Sequence, residues 1–564
     1  MRFFVVALLA GASWAHAASP LRVPMRFSIT NDAGWGNEWF VVGNHPDLGA
    51  WDPAKSVKLV WSNGNVWWGH LGVQAGTALE YKFVKRATAA DQICDGANAV
   101  WWPDDANLQT QAVAEPPAPF HGKKILFYSD MTNVNVVFAM LSNANFDATV
   151  AWTGTNMVRT GPGLRAGEWR HEAGIGEAGE WMRFTFNGLR NGITNWEGAW
   201  DGWDYWSPLD AMIVRDRQIF NYLPPASGVS ASRVVATNVG SSFAGVAGRD
   251  VRIYLPRGYN ENTNRRYPVV YMSDGENVFA PGGTYGCWNA ETTADAEIKG
   301  GRMREAIVVG VPSAADRTIE YLPHMDSVGG KQGKADMYAN FLIHNVRPTL
   351  DAHFRTKNDR ANTACIGSSS GGLLAMYLGT WTNAFGLVGA MSGVYDDGFC
   401  PNYMAWLASA RPHAARVWMD VGNVGYELDI DGISLYDSNF TLYWHLLGIG
   451  YVPRVDLRFA IGCGHDHNEA AWAARLPEVY RFLLDAREEP NVLLPFYLAG
   501  DGSGRTISFP VYAGTSYVVE RTGTMATPTW IAATNWARET RPWNIRTVDL
   551  EALAARSFVR VAGH

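Results

Sequence analysis

The chain reads as several domains in series: two small β-sandwiches, a larger domain in which strands and helices alternate, and a short β-rich tail. Three observations lead there. At 564 residues it is too long for one hydrophobic core, and its length fits three to four domains. Proline-rich or charged joints at 114–119, 223–228 and 487–490 divide it, because proline presets an extended backbone and cannot continue a helix. The hydrophobic texture also changes from about residue 229, from short turn-broken β runs to buried apolar strands alternating with helical patterns.

Residues 1–17 read as an export leader. Arg2 precedes an apolar run from Phe3 to Ala12 that is too short to span a bilayer, and Ala15-His16-Ala17 supplies a small-x-small cleavage pattern. No later stretch reaches transmembrane length without charges, so the expectation is a secreted or periplasmic chain with no membrane span. A net charge of -7 and a pI near 6.0 offer no basic stripe, which argues against nucleic acid as a partner. Five cysteines are an odd number, so at least one thiol is left unpaired or intermolecular. None sits at metal-ligand or CxxC spacing, and neither a metal nor a cofactor is expected.

Residues 20–113 hold β runs such as Trp39-Phe40-Val41-Val42 and Leu79 to Val84, broken by Gly, Asn and Asp. Residues 120–222 repeat that style with Lys124 to Tyr128 and Trp181 to Phe186. Of 25 tryptophans, 16 fall within the first 225 residues. Cores are filled mostly by Leu, Ile and Val, so this excess suggests aromatic faces kept for a ligand. Sugar rings carry apolar C–H faces that stack on indoles, which makes carbohydrate the expected ligand. The tail, 491–564, returns to β texture and carries no assigned activity.

Residues 229–486 carry the chemistry. Buried strands at 268–272, 307–311, 364–367, 417–419 and 457–461 alternate with helical patterns, the mark of a doubly wound parallel sheet. Gly367-Ser368-Ser369-Ser370-Gly371 follows one of these strands and opens a helical pattern. This GxSxG string in a strand–turn–helix setting predicts an α/β-hydrolase nucleophile elbow with Ser369 as nucleophile. The Ser370 N–H, at the helix start, would face a developing oxyanion. A second donor is expected after the strand ending at Met272, from the N–H of Gly275 or Glu276. The hydroxyl needs a base, and His467 follows the strand at 457–461, with His465 as competitor. The acid should lie between 369 and 467: Glu427 is favoured, with Asp429 and then Asp420 behind it.

Arg252-Ile253-Tyr254-Leu255-Pro256, Asp274-Gly275-Glu276-Asn277, Glu320-Tyr321, the serine elbow and His467-Asn468-Glu469-Ala470-Ala471-Trp472 occur in order over about 230–485. Together they resemble the family called Putative esterase, which includes enterochelin esterases, feruloyl and acetyl xylan esterases of carbohydrate esterase family 1, and mycolyltransferases. The resemblance implies a carboxylic ester hydrolase and selects His467 over His465. An acyltransferase of the same fold and a glucan-binding protein without activity are the alternatives. Residues 20–113 resemble the starch-binding domain of carbohydrate-binding module family 20, through Phe40 to Asn44, Leu48 to Trp51, Trp67, Glu80 to Phe83, Trp102 and Asn107. That resemblance implies a stacking platform of Trp67 and Trp102, with Lys82 and Asn107 bonding sugar hydroxyls. Residues 120–222 are similar to starch-binding module family 25, which implies Trp152 and Trp196, with Trp203, as contacts. The expected partners are starch or another α-glucan and an acylated carbohydrate substrate.

Overall fold

The computed structural model describes residues 22–488 apart from short stretches, the longest being 88–99, 102–107, 112–122, 142–150 and 410–415, and the strands lying between 497 and 563. The expected leader, and Trp102, Asn107 and Trp203, lie outside the described residues.

Short apolar runs in the central domain form eight strands: β1 (Arg233–Val239), β2 (Arg249–Leu255), β3 (Val269–Met272), β4 (Ile307–Gly310), β5 (Thr363–Ser368), β6 (Leu387–Met391), β7 (Arg416–Gly422) and β8 (Leu457–Gly462). Their order in the sheet is β1-β2-β4-β3-β5-β6-β7-β8. Strand β2 is antiparallel to both neighbours, whereas β3 to β8 run parallel. Parallel strands are covered on both faces, so both sets of alternating side chains must be apolar. Along β3, Val269 and Tyr271 enter one core cluster while Val270 and Met272 enter the other. Helices α1 (Ala290–Lys299), α2 (Ser370–Trp381), α3 (Leu435–Gly448) and α4 (Glu469–Leu483) supply the cover. This is the α/β-hydrolase arrangement that the alternating texture predicts. Strand β6 is an addition to that reading. Its run Leu387-Val388-Gly389-Ala390-Met391 is short, and Gly389 dilutes the strand signal.

The N-terminal module is a β-sandwich whose core includes Phe27, Trp39, Val41, Leu59, Trp67 and Phe83. Its strand Arg22–Thr30 pairs antiparallel with β8, Arg22 lying opposite Ile461. The strands Val66–Gln74 and Val60–Ser62 follow, so one sheet of eleven strands runs through both domains. Strand β8 would otherwise present a row of unpaired backbone groups. Beside the join, His70 stacks on Phe440 of α3 with ring centroids 4.3 Å apart and accepts a hydrogen bond from Trp444 Nε1 at 3.1 Å. Burial, with Arg26 nearby, holds the His70 imidazole down to about 3. The neutral ring is therefore the acceptor that the indole requires.

Residues 123–220 form two five-stranded sheets whose facing sides share one core, with Phe127 stacked on Phe186 at 3.8 Å. The tail strands form two three-stranded sheets. Among the described residues no helix is long and apolar enough to cross a membrane. Cys287 and Cys365 are free thiols, and Cys365 and Cys400 are buried.

Candidate active site

Strand β5 is buried along its whole length and ends at Ser368, and α2 begins at Ser370. Ser369 lies between them at φ 58° and ψ −125°. A side chain in this region costs about 1–3 kcal/mol of backbone strain, so the surroundings must hold it. The Ser369 N–H donates to Met391 O at 3.0 Å, and its carbonyl accepts from Gly372 and Leu373 at 2.9 and 3.1 Å. The flanking glycines are steric requirements. A Cβ on Gly367 would come within 2.4 Å of Gly371 O, and one on Gly371 within 2.4 Å of Ser273 Oγ. The turn is thus fixed by two missing side chains and one anchored backbone, and Ser369 stands at its tip.

At the start of α2 the Ser370 N–H belongs to the first helical turn, where no carbonyl precedes it in the helix. In the Asp274–Asn277 turn the donors divide differently from the sequence expectation. Gly275 is corrected as an oxyanion donor, because its N–H donates to Val311 O at 2.9 Å. Its role is steric, since a Cβ there would lie 2.4 Å from Gly310 C. The Asp274 N–H donates to Tyr321 Oη and the Asn277 N–H to Asp274 O, which leaves Glu276 as the open N–H of the turn. The turn itself is braced by Arg317, which donates to both Asp274 carboxylate oxygens at 2.5 and 2.8 Å. Arg317 and Tyr321 have no local sequence mark tying them to Asp274, which is more than forty residues away.

His467 lies in the loop between β8 and α4, its side chain only 10% exposed. Its Nδ1 faces Glu427 Oε2 at 3.4 Å, and its ring meets Trp472 edge-on with centroids 5.0 Å apart. Glu427 ends a single 3₁₀ turn, Gly425–Glu427, that follows β7 and buries it completely. Burial pushes its carboxyl up. The His467 ring 3.4 Å away, with Arg475 and the Ser392 hydroxyl, outweighs that and holds it below the usual carboxylate range. The charged form therefore persists where an imidazolium would need it.

The rival residues go elsewhere. Asp420 accepts from Arg475 Nε at 3.0 Å and from Trp418 Nε1 at 2.8 Å. Asp429 is exposed on the surface. His465 faces Arg475, 3.3 Å from its Nη1, and burial together with that guanidinium holds the ring below its usual pKa. The structure thus pairs His467 with Glu427 and leaves the other carboxylates and His465 in separate contacts.

Of the residues expected to meet sugar, Trp196 is 62% exposed and Trp152 is 41% exposed, with the Arg183 guanidinium 5.4 Å from the Trp152 ring. Lys82 is half-buried on its strand. Trp67 departs from the expectation. It is 8% exposed within the sandwich core, and its Nε1 donates to Asn31 O at 3.1 Å. Its faces pack against protein and are not open for a ring to stack on. The exposed indole of this sheet is Trp61, its cross-strand neighbour, at 51%.

Comparison with known families places two of these units. The model of the family Putative esterase matches residues 247–483, and that of the starch binding domain matches residues 22–116. An α-amylase of Thermomonospora curvata is 43% identical over 65 residues, 11% of this chain and 11% of that protein. An endo-1,4-beta-xylanase/feruloyl esterase of Xylanibacter ruminicola is 32% identical over 132 residues, 22% of this chain and 16% of that protein. The chain therefore spans only a small part of the length of these relatives. Among solved structures, a ferulic acid esterase aligns over 45% of this chain and 98% of its own, at 21% identity and a TM-score of 0.36.

Proposed function

Starting from residues 247–483 as an esterase-family domain, the fold of a carboxylic ester hydrolase, and residues 22–116 as a starch-binding domain, we propose that the chain is an exported serine esterase acting on acylated carbohydrate while held on starch or a related α-glucan. The observation that carries the reading is the strained Ser369 at the head of α2, in the same domain as a buried His467–Glu427 pair. In this mechanism the Ser369 hydroxyl attacks the ester carbonyl and His467 takes its proton. Glu427 stabilises the imidazolium, and the Ser370 and Glu276 N–H groups receive the oxyanion. His467 then protonates the leaving alkoxide, and water repeats the sequence on the acyl-enzyme. Feruloyl and acetyl groups are the acyl classes to test first, the former because one relative is itself described as a feruloyl esterase.

Trp61 and the second module's Trp152 and Trp196 are the proposed sugar contacts, since exposed indoles offer the apolar face that a pyranose ring covers. The full chain should be retained on granular starch while it releases acid from a soluble feruloyl or acetyl ester. Trp61→Ala should weaken retention by roughly tenfold, about 1 kcal/mol or more. The soluble-ester rate should stay unchanged, because the indole lies in another domain. Unaltered retention by Trp61→Ala would remove this residue from the glucan surface. Failure of the parent to bind starch would remove the anchoring role itself.

A further inference from the structure

Behind the His467–Glu427 pair lies a residue that the triad mechanism does not use. Ser392 follows β6, is fully buried, and sits at φ 45°, a left-handed conformation unfavourable for a serine. Its N–H donates to Asp420 O at 2.8 Å. Its hydroxyl has three neighbours: Trp472 Nε1 at 3.1 Å, Arg475 Nη2 at 2.8 Å and Glu427 Oε1. An indole N–H and a guanidinium N–H can only donate. They occupy both lone pairs of the hydroxyl oxygen, so its one proton is directed to Glu427 Oε1. The other carboxylate oxygen, Oε2, is the one that faces His467 Nδ1.

We propose that Ser392 is a positioning residue for the triad acid: Trp472 and Arg475 fix the direction of its O–H, which pins one oxygen of Glu427 and presents the other to His467. The charges around it are arranged for the same end. Arg475 is bonded to the Asp420 carboxylate at 3.0 Å, while it stays 3.9 Å from Glu427. Asp420 therefore answers the guanidinium, and the Glu427 charge is left for His467. His465 is held against Arg475, 3.3 Å from its Nη1, and Glu469 and Asp466 are the further titratable groups beside His467. The left-handed backbone at 392 is what brings a hydroxyl from the end of β6 to a carboxylate 35 residues further on.

This inference rests on Glu427 being the triad acid, and the test separates the two. Ser392→Gly removes the hydroxyl while leaving a backbone that adopts φ 45° without strain, so the fold should be retained. With a soluble ester the full-length variant should lose kcat on the order of tenfold at little change in KM. Its pH profile in kcat/KM should differ from the parent's, because the carboxylate facing His467 is displaced. In a Glu427→Gln background the same change should cost about twofold or less, since its effect passes through that carboxylate. A Ser392→Gly variant with the parent's kcat and pH profile overturns the proposal. So does a full tenfold loss repeated in the Glu427→Gln background, which would mark a packing role. If Ser392→Gly unfolds, Ser392→Ala in the same pair of backgrounds gives the same comparison. A Glu427→Gln variant with parental activity would instead overturn the assignment of the acid.

Discussion

Ser369→Ala should lower kcat for a soluble ester by on the order of 10³-fold or more while leaving the unfolding temperature within a few degrees of the parent. The size follows from losing the covalent route altogether. What remains is whatever the oxyanion donors and substrate binding achieve with water. The fold should survive because the Ser369 side chain makes no hydrogen bond on which the turn depends. The turn is held by Met391 O and by the absent side chains at Gly367 and Gly371. Stopped-flow measurement with a chromogenic ester checks the first part, since the acyl-enzyme burst should vanish with turnover, and a thermal melt checks the second. A variant that keeps its burst would place the nucleophile elsewhere.

His467→Ala should be nearly as damaging, on the order of 10³-fold in kcat, whereas His465→Ala should cost less than about tenfold. The difference comes from what each ring faces. His467 Nδ1 looks at a buried carboxylate that stabilises its charged form, while His465 looks at a guanidinium that opposes protonation. A base must accept a proton in the transition state, and only the first environment favours that. Removing His465 leaves Arg475 with Asp420 and Ser392, so the network behind Glu427 persists. Inactivation by the His465 change alone would reverse the assignment.

The parts of this site that were legible in sequence are those written in consecutive residues. GxSxG states its own geometry, because the two glycines and the strand before them are needed for any side chain to stand at that turn. The His467 position followed from its place after β8 and the ordered family motifs. Glu427 could be narrowed to a loop, but the choice over Asp420 rests on Arg475 and Trp418 occupying the latter. Those partners lie on other elements. Gly275 was misread for a similar reason: whether an N–H is open depends on Val311, which the local sequence does not mention. Ser392 had the faint signal of a Ser-Gly pair after an apolar run, and that run was itself too short and glycine-diluted to stand out.

The fold divides along the same line. Unbroken apolar runs made the central strands readable, whereas Trp67 and Trp68 sit adjacent on one strand and so face opposite sides. Residues alone did not say which side closes onto the core. Trp67 fills it, and on the opposite side His70, in step with Trp68, meets α3 of the hydrolase domain. Continuity of the sheet from β8 into the starch-binding domain could not have been read at all, because no sequence pattern names the partner of an edge strand.

Covalent labelling tests the central claim most directly. A fluorophosphonate reacts with a serine hydroxyl only where a base and oxyanion donors activate it, so the adduct identifies the nucleophile without knowledge of the natural ester. The full-length chain treated with such a reagent should lose esterase activity in step with incorporation of one phosphonate. Peptide mass spectrometry should place the adduct on Ser369, and His467→Ala should abolish it. An adduct on Ser368, Ser370 or a serine of another domain, or full activity retained with no adduct after treatment, would contradict the account.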